Sequence, residues 1–227
     1  MSLVDVYLEV RCACQSPRVC LAPILLVFLL VGCTSPAPRS PDQVRVTTVP
    51  TTISWNMLQQ RPVHLPSLKP GTPCPTTHGS FVIPHFDPLL GKGPVYADFF
   101  GGKSLAETTE KGILDYVSSF GDGSQWGGQK VLWFINPTYR GPVLIRGGQL
   151  DGVHGMRFNG GTEQQSYSSP AAETSLLSEL RLIGGGAGEP WPDWGTYTRL
   201  QAPGCYAYQV DGTTFSYLII FKAVLTS

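Results

Sequence analysis

Residues 205–221 read Cys205-Tyr206-Ala207-Tyr208-Gln209-Val210-Asp211-Gly212-Thr213-Thr214-Phe215-Ser216-Tyr217-Leu218-Ile219-Ile220-Phe221, and this stretch decides the fold. From 205 to 210 the residues alternate in character, the two-residue period of a strand with unlike faces. Asp211-Gly212 then supplies the dipeptide of a tight hairpin turn. From 214 onward the chain becomes a nearly continuous apolar run, as in a central strand. The pattern predicts an antiparallel hairpin at the end of a β-rich domain.

Outward from that hairpin, runs of the same kind recur at 80–84, 94–99, 130–136, 142–146, 153–158, 180–183 and 196–200, each bounded by Gly, Pro, Asn or Asp. Asp151-Gly152 marks a second hairpin signal. Together with 205–210 and 214–224 they predict an all-β sandwich or barrel. Only one stretch reads as helical. Ser104-Leu105-Ala106-Glu107 has the capping-box pattern and precedes Ile113, Leu114, Val117 and Phe120 at mixed spacing. Gly112 weakens such a helix by about 1 kcal/mol relative to Ala, which leaves a short helix or an irregular insertion open. Residues 171–180 are ambiguous, and the lack of a fixed-period repeat disfavours a propeller or solenoid.

Composition agrees with that class. The chain has 26 Gly and 20 Pro in 227 residues, is 42% hydrophobic and only 14% charged. High Gly and Pro with modest charge favour short strands joined by turns. Sixteen basic residues balance sixteen acidic ones, so no positive field exists to hold a phosphate backbone. Nucleic acid is therefore not expected as a partner.

The N-terminal segment reads as an address. Residues 21–32, Leu-Ala-Pro-Ile-Leu-Leu-Val-Phe-Leu-Leu-Val-Gly, carry no charge and follow Arg11 and Arg18. The run is short for a membrane span, which needs about 20 apolar residues, and fits a secretory h-region of about 7–15. Leu30-Val31-Gly32-Cys33 resembles the bacterial lipobox. That resemblance implies a signal peptide over 1–32, cleavage before Cys33, and a lipoprotein acylated at Cys33. Two or more acyl chains anchor stably where one does not. An uncleaved anchor and a plain secretory signal remain alternatives. The membrane, reached through this anchor, is the expected partner, with the domain on the extracytoplasmic side of the cell envelope.

Residues 33–62 are rich in Pro, Thr and Ser and bury too little apolar surface to offset ordering entropy, so they read as a disordered tether. The β-domain is expected over 63–227. Of six cysteines, three precede the cut and Cys33 is acylated, leaving Cys74 and Cys205 as a pair in an oxidising compartment. A Cys74–Cys205 disulfide is favoured over two free thiols or a metal pair, since neither lies in a C-x-x-C or has a His at ligand spacing.

The runs Asn136-Pro137-Thr138-Tyr139-Arg140-Gly141-Pro142 through Leu150-Asp151-Gly152, and Pro203-Gly204-Cys205-Tyr206-Ala207-Tyr208-Gln209-Val210-Asp211-Gly212, look like sequences of uncharacterised bacterial lipoproteins and secreted proteins. The resemblance implies an immunoglobulin-like antiparallel β-sandwich over about the last 150 residues. It brings no known activity.

Motifs of catalysis are scarce. The sequence has no G-x-S-x-G elbow and no H-E-x-x-H. His154 and Met156 would share a strand face, a pair that soft copper uses, but further ligands are lacking and plain packing is favoured. Most of the aspartates from Asp87 to Asp211 border Gly or Pro, as turn chemistry explains. Gly184-Gly185-Gly186-Ala187-Gly188 lacks the Gly-Lys-Ser/Thr ending of a phosphate loop. The most suggestive surface is Trp191-Pro192-Asp193-Trp194 with Tyr197, a proline-stiffened turn that would offer a sugar ring or a peptide an aromatic platform, with Asp193 as polar anchor. The competing and favoured reading has the tryptophans plugging the end of the fold. No cofactor or metal is expected. The reading of the whole is a cell-envelope lipoprotein displaying a non-catalytic binding domain. A secreted carboxylate hydrolase and a structural spacer are the alternatives.

Overall fold

The computed structural model describes residues 55–99, 105–119, 125–162, 176–185 and 190–226. Cys33, the signal segment and most of the tether lie outside them. The described part is 47% strand and 6% helix, which establishes the β-rich class. Its elements are α1 (Trp55–Gln59), β1 (Val95–Asp98), α2 (Leu105–Lys111), β2 (Ile113–Val117), β3 (Gly127–Ile135), β4 (Pro142–Gln149), β5 (Arg157–Gly160), β6 (Leu180–Ile183), β7 (Asp193–Leu200), β8 (Gly204–Gly212) and β9 (Ser216–Thr226).

All nine strands join one sheet in the order β5-β7-β3-β2-β9-β8-β4-β6, with β1 beside β3. The two ends of this path approach each other. Phe158 of β5 bridges to Leu177, and Thr162 N donates to Arg181 O of β6 at 2.9 Å. The sheet is thus nearly closed into a barrel. Closure leaves few unpaired edge groups for another chain to add to.

The interior follows from strand alternation. Val131, Trp133 and Ile135 of β3, Val143 and Ile145 of β4, and Tyr206, Tyr208 and Val210 of β8 fall at every second position and join one buried cluster. Tyr208 lies at its centre, its ring 4.6 Å from Phe221 and 5.1 Å from Trp133. Two polar side chains in this cluster are paired. Trp133 Nε1 donates to Thr196 Oγ1 at 3.2 Å, and the Tyr208 hydroxyl lies 2.7 Å from Thr198 Oγ1. Burying either hydroxyl unpaired would cost about 1–3 kcal/mol.

Several expectations change in detail. Of the two readings left open there, a short helix is found over 105–111, while Ser104 and Phe120 lie outside the described residues. It ends at Gly112, whose φ of 64° suits a helix-terminating glycine and where a Cβ would lie 2.5 Å from Thr77 O. Residues 113–117 are a strand, paired in parallel with 222–226. Residues 80–84 form no strand, and only Ser80 bridges to Leu89. Asp211-Gly212 is not the turn centre. Asp211 pairs with Ser216, so the loop spans the four positions between them and Thr213-Thr214 occupies its middle.

Residues 55–62, read as the end of the tether, pack on the domain. Leu58 is buried, Gln59 Nε2 donates to Glu179 Oε1 at 2.6 Å, and the Arg181 guanidinium lies over the Trp55 ring. Leu58 supplies the apolar burial that a purely polar stretch would lack. The segment after α1 then runs as a strap along the outer face of β8, which explains why β8 is buried on both sides.

Candidate aromatic binding end

Register alone assembles the site. Ile135 pairs with Val95, Phe134 with Asp193, Pro142 with Ile183, and Asp211 with Ser216. The start of β1, β4, β7 and β9 and the end of β3, β6 and β8 therefore meet at one end of the barrel. Backbone bonds bind the loops there. Asn136 N donates to Pro94 O at 2.7 Å, Ile135 N to Pro192 O at 3.2 Å, and Gly184 N to Gly141 O at 3.0 Å.

Tyr96, Tyr139, Trp191, Trp194, Phe215 and Tyr217 gather at this end, each half-buried. Tyr96 and Trp191 meet edge to face at 6.0 Å, Tyr139 and Phe215 at 5.3 Å, and Phe215 stacks on Tyr217 at 5.6 Å. Such pairs add about 0.5–1.5 kcal/mol beyond area burial. Three polar handles are tied to main-chain carbonyls. The Tyr139 hydroxyl donates to Pro142 O at 2.6 Å, Trp194 Nε1 to Ile183 O at 3.2 Å, and the Tyr217 hydroxyl to Val95 O. Burial pushes the Tyr217 phenol well above its ordinary pKa, with the Tyr96 hydroxyl beside it adding to the rise and the Val95 carbonyl opposing it. Burial alone raises Tyr96. Both phenols therefore stay neutral and act as hydrogen-bonding groups. Lys92, Arg140, Asp193 and Thr213 stand exposed around the aromatic centre. Partly exposed rings bordered by charged side chains suit a ligand that offers a flat face and polar edges.

The sequence-selected residues distribute unevenly. Trp191 lies at this end against Tyr96, and Trp194 packs inward against the core. Asp193 is exposed at the rim. Tyr197 projects to the outer side of β7, between Lys130 and Asn159 in register, because odd and even positions of a strand face opposite ways. The four residues do not form one platform. Tyr96, Tyr139, Phe215 and Tyr217 were not singled out in sequence, since nothing local marks them as neighbours. Cys74 and Cys205 form a disulfide with Cα atoms 5.4 Å apart, joining the strap to β8. Cys33 falls outside the described residues. His154 is exposed and Met156 is buried in the core, and both precede the strand that starts at Arg157, so they do not share a strand face. Among the described residues no group of three or more His, Cys, Asp or Glu is placed to hold a metal.

One carboxyl group stands apart. Asp98, at the end of β1, is buried and accepts from Thr109 Oγ1 at 3.0 Å, while that oxygen accepts from Phe99 N at 3.1 Å. Burial raises its pKa above the ordinary carboxylate value, the Thr109 hydrogen bond opposes the rise, and the Asp87 charge adds to it.

Compared with protein-family models, curated proteins and solved structures, the chain matches none of them.

Proposed function

We propose that this protein is a cell-envelope lipoprotein, acylated at Cys33, whose β-domain binds its ligand without catalysis through the aromatic end of the barrel. The observation that carries the binding reading is the set of six half-buried aromatic residues at one loop-bearing end, three of them with their polar atoms tied to main-chain carbonyls. Rings held this way lose little side-chain entropy when a ligand covers them, which is what makes aromatic anchors effective. The lipobox-like Leu30-Val31-Gly32-Cys33 supports the anchor, and the disulfide fits an oxidising, extracytoplasmic compartment. The ligand class is a carbohydrate ring or a protein surface met beyond the membrane. The immunoglobulin-like sandwich class belongs to the same proposal. It rests on the resemblance of residues 136–152 and 203–212 to bacterial secreted proteins and lipoproteins, while the sheet order gives a β-rich, nearly closed barrel.

The test has two arms. Cys33→Ser should remove the protein from the membrane fraction or block its processing, and unchanged partitioning overturns the anchor. Isolated envelope polysaccharide and envelope protein fractions should bind the wild-type domain, and Trp191→Ala with Phe215→Ala should weaken that binding by about 2 kcal/mol or more. Equal binding by this variant overturns the aromatic-end reading, and no binding by either protein favours the structural spacer. One observation favours a hydrolase instead: the buried Asp98 carboxyl with raised pKa and a second carboxylate, Asp87, acting on it. Loss of a hydrolytic activity on envelope polysaccharide in Asp98→Asn would establish that reading.

A further inference from the structure

The strap makes contacts of a kind that a bound peptide makes. After α1, residues 61–68 run without helix or strand pairing along the outer face of β8. The side-chain amide of Gln209 reads the strap backbone twice. Its Nε2 donates to Pro62 O at 3.0 Å, and its Oε1 accepts from His64 N at 2.7 Å. Arg146 Nη1 donates to Arg61 O at 2.9 Å, and Leu68 N donates to Leu150 O at 2.7 Å. Recognition through main-chain groups of an extended segment is how many peptide-binding grooves work.

Three side chains fix the register. The Arg61 guanidinium reaches the carbonyls of the β8–β9 turn, with Nη1 2.7 Å from Gly212 O and 2.9 Å from Phe215 O, and Nη2 3.1 Å from Thr213 O. Leu65 and Leu68 pack on Leu150, Cys205 and Ala207. They lie three residues apart, the repeat of a polyproline-type backbone, in a segment with Pro62 and Pro66. Pro62, Val63, His64, Pro66 and Ser67 face solvent.

The groove is pre-organised by one buried carboxylate. Asp211, with no exposed surface, accepts from Arg146 Nη2 at 2.7 Å and from Gln209 Nε2 at 2.9 Å. It thus orients both groups that grip the strap. The Arg61 guanidinium approaches the same carboxylate at 3.9 Å. At the far end the strap passes an exposed turn, Thr72 N to Lys69 O at 3.0 Å, before Cys74 is pinned to Cys205. A release of residues 61–68 that pivots on this turn would leave the disulfide intact and keep their local concentration high.

We propose that residues 61–68 are a displaceable intramolecular ligand of a peptide-binding groove on β4 and β8. The groove's external partner is an extended peptide with Arg immediately before Pro and a leucine three residues after that proline. In the resting protein the strap occupies the groove and blocks that partner.

The test uses the full chain with Arg61→Ala and a fluorescein-labelled synthetic peptide of residues 57–69. In wild type, the peptide should bind at least about tenfold more weakly than in Arg61→Ala, because the strap competes at high local concentration. The amides of His64 and Leu68 should exchange at least about tenfold faster in Arg61→Ala, while amides of β8 and β9 keep their protection. Adding Gln209→Ala should abolish saturable binding, with circular dichroism confirming the fold. Three outcomes overturn the proposal: no saturable binding to Arg61→Ala, equal binding to wild type, or faster exchange through β8 and β9 as well as the strap. The last would make the strap an integral part of the fold.

Discussion

Replacing both Cys74 and Cys205 by alanine removes a crosslink spanning 131 residues, most of the domain. In the chain-entropy treatment a loop of that size restricts the unfolded ensemble by about 5 kcal/mol at 25 °C. In a domain of 150–250 residues, 1 kcal/mol shifts the melting temperature by about 2–4 °C, so the double variant should melt about 10–20 °C lower. The folded state should change little. Cys205 N remains held by Asp151 Oδ1 at 3.0 Å and by the β8–β9 ladder, and the strap keeps its Arg61 and Gln209 contacts. Calorimetry and urea unfolding of wild type, both single variants and the double variant provide the measurement, with the m-value rising as the unfolded chain expands. The single variants should each lose as much as the double, because either one breaks the same bond. A melting shift below about 3 °C in the double variant would refute the crosslink argument. A much larger loss in Cys205→Ala than in Cys74→Ala would instead assign the effect to packing around the buried Cys205.

Trp194→Ala should cost about 3 kcal/mol of folding stability by opening a space against the core and orphaning Ile183 O, whereas Trp191→Ala, at the surface against Tyr96, should cost about 1 kcal/mol or less. Comparable losses by chemical denaturation would show that Trp191 is a plug as well. Tyr208→Phe should lose about 1–2 kcal/mol by leaving Thr198 Oγ1 without its partner in the core, and a double-mutant cycle with Thr198→Val should be clearly non-additive. The folded pKa of Asp98 lies above its unfolded value, so its contribution is fully present below the unfolded value, about 3.9, and is lost as pH rises through the folded one. Wild type should therefore lose stability relative to Asp98→Asn as pH rises above about 4, and stability curves that stay parallel above that pH would contradict the assignment.

What the sequence by itself determined is what depends on neighbours along the chain. Alternation at 205–210 and the apolar run beyond it made the last hairpin legible, and six of the remaining seven strand-like runs overlap strands. Counting cysteines across the expected cut led to Cys74 and Cys205, because the two cysteines left over have one pairing. Tertiary structure decided the rest. Ile113 to Val117 became a strand through parallel pairing with 222–226, more than a hundred residues away, and no local period marks such a partner. Asp211 looked like a turn residue beside Gly212. The register moved the turn onward and left its carboxylate beneath the strap, where Arg146 and Gln209 stabilise it. The aromatic end likewise draws on four different loops, and only the near closure of the sheet, driven by burial of residues distant in sequence, brings those loops together.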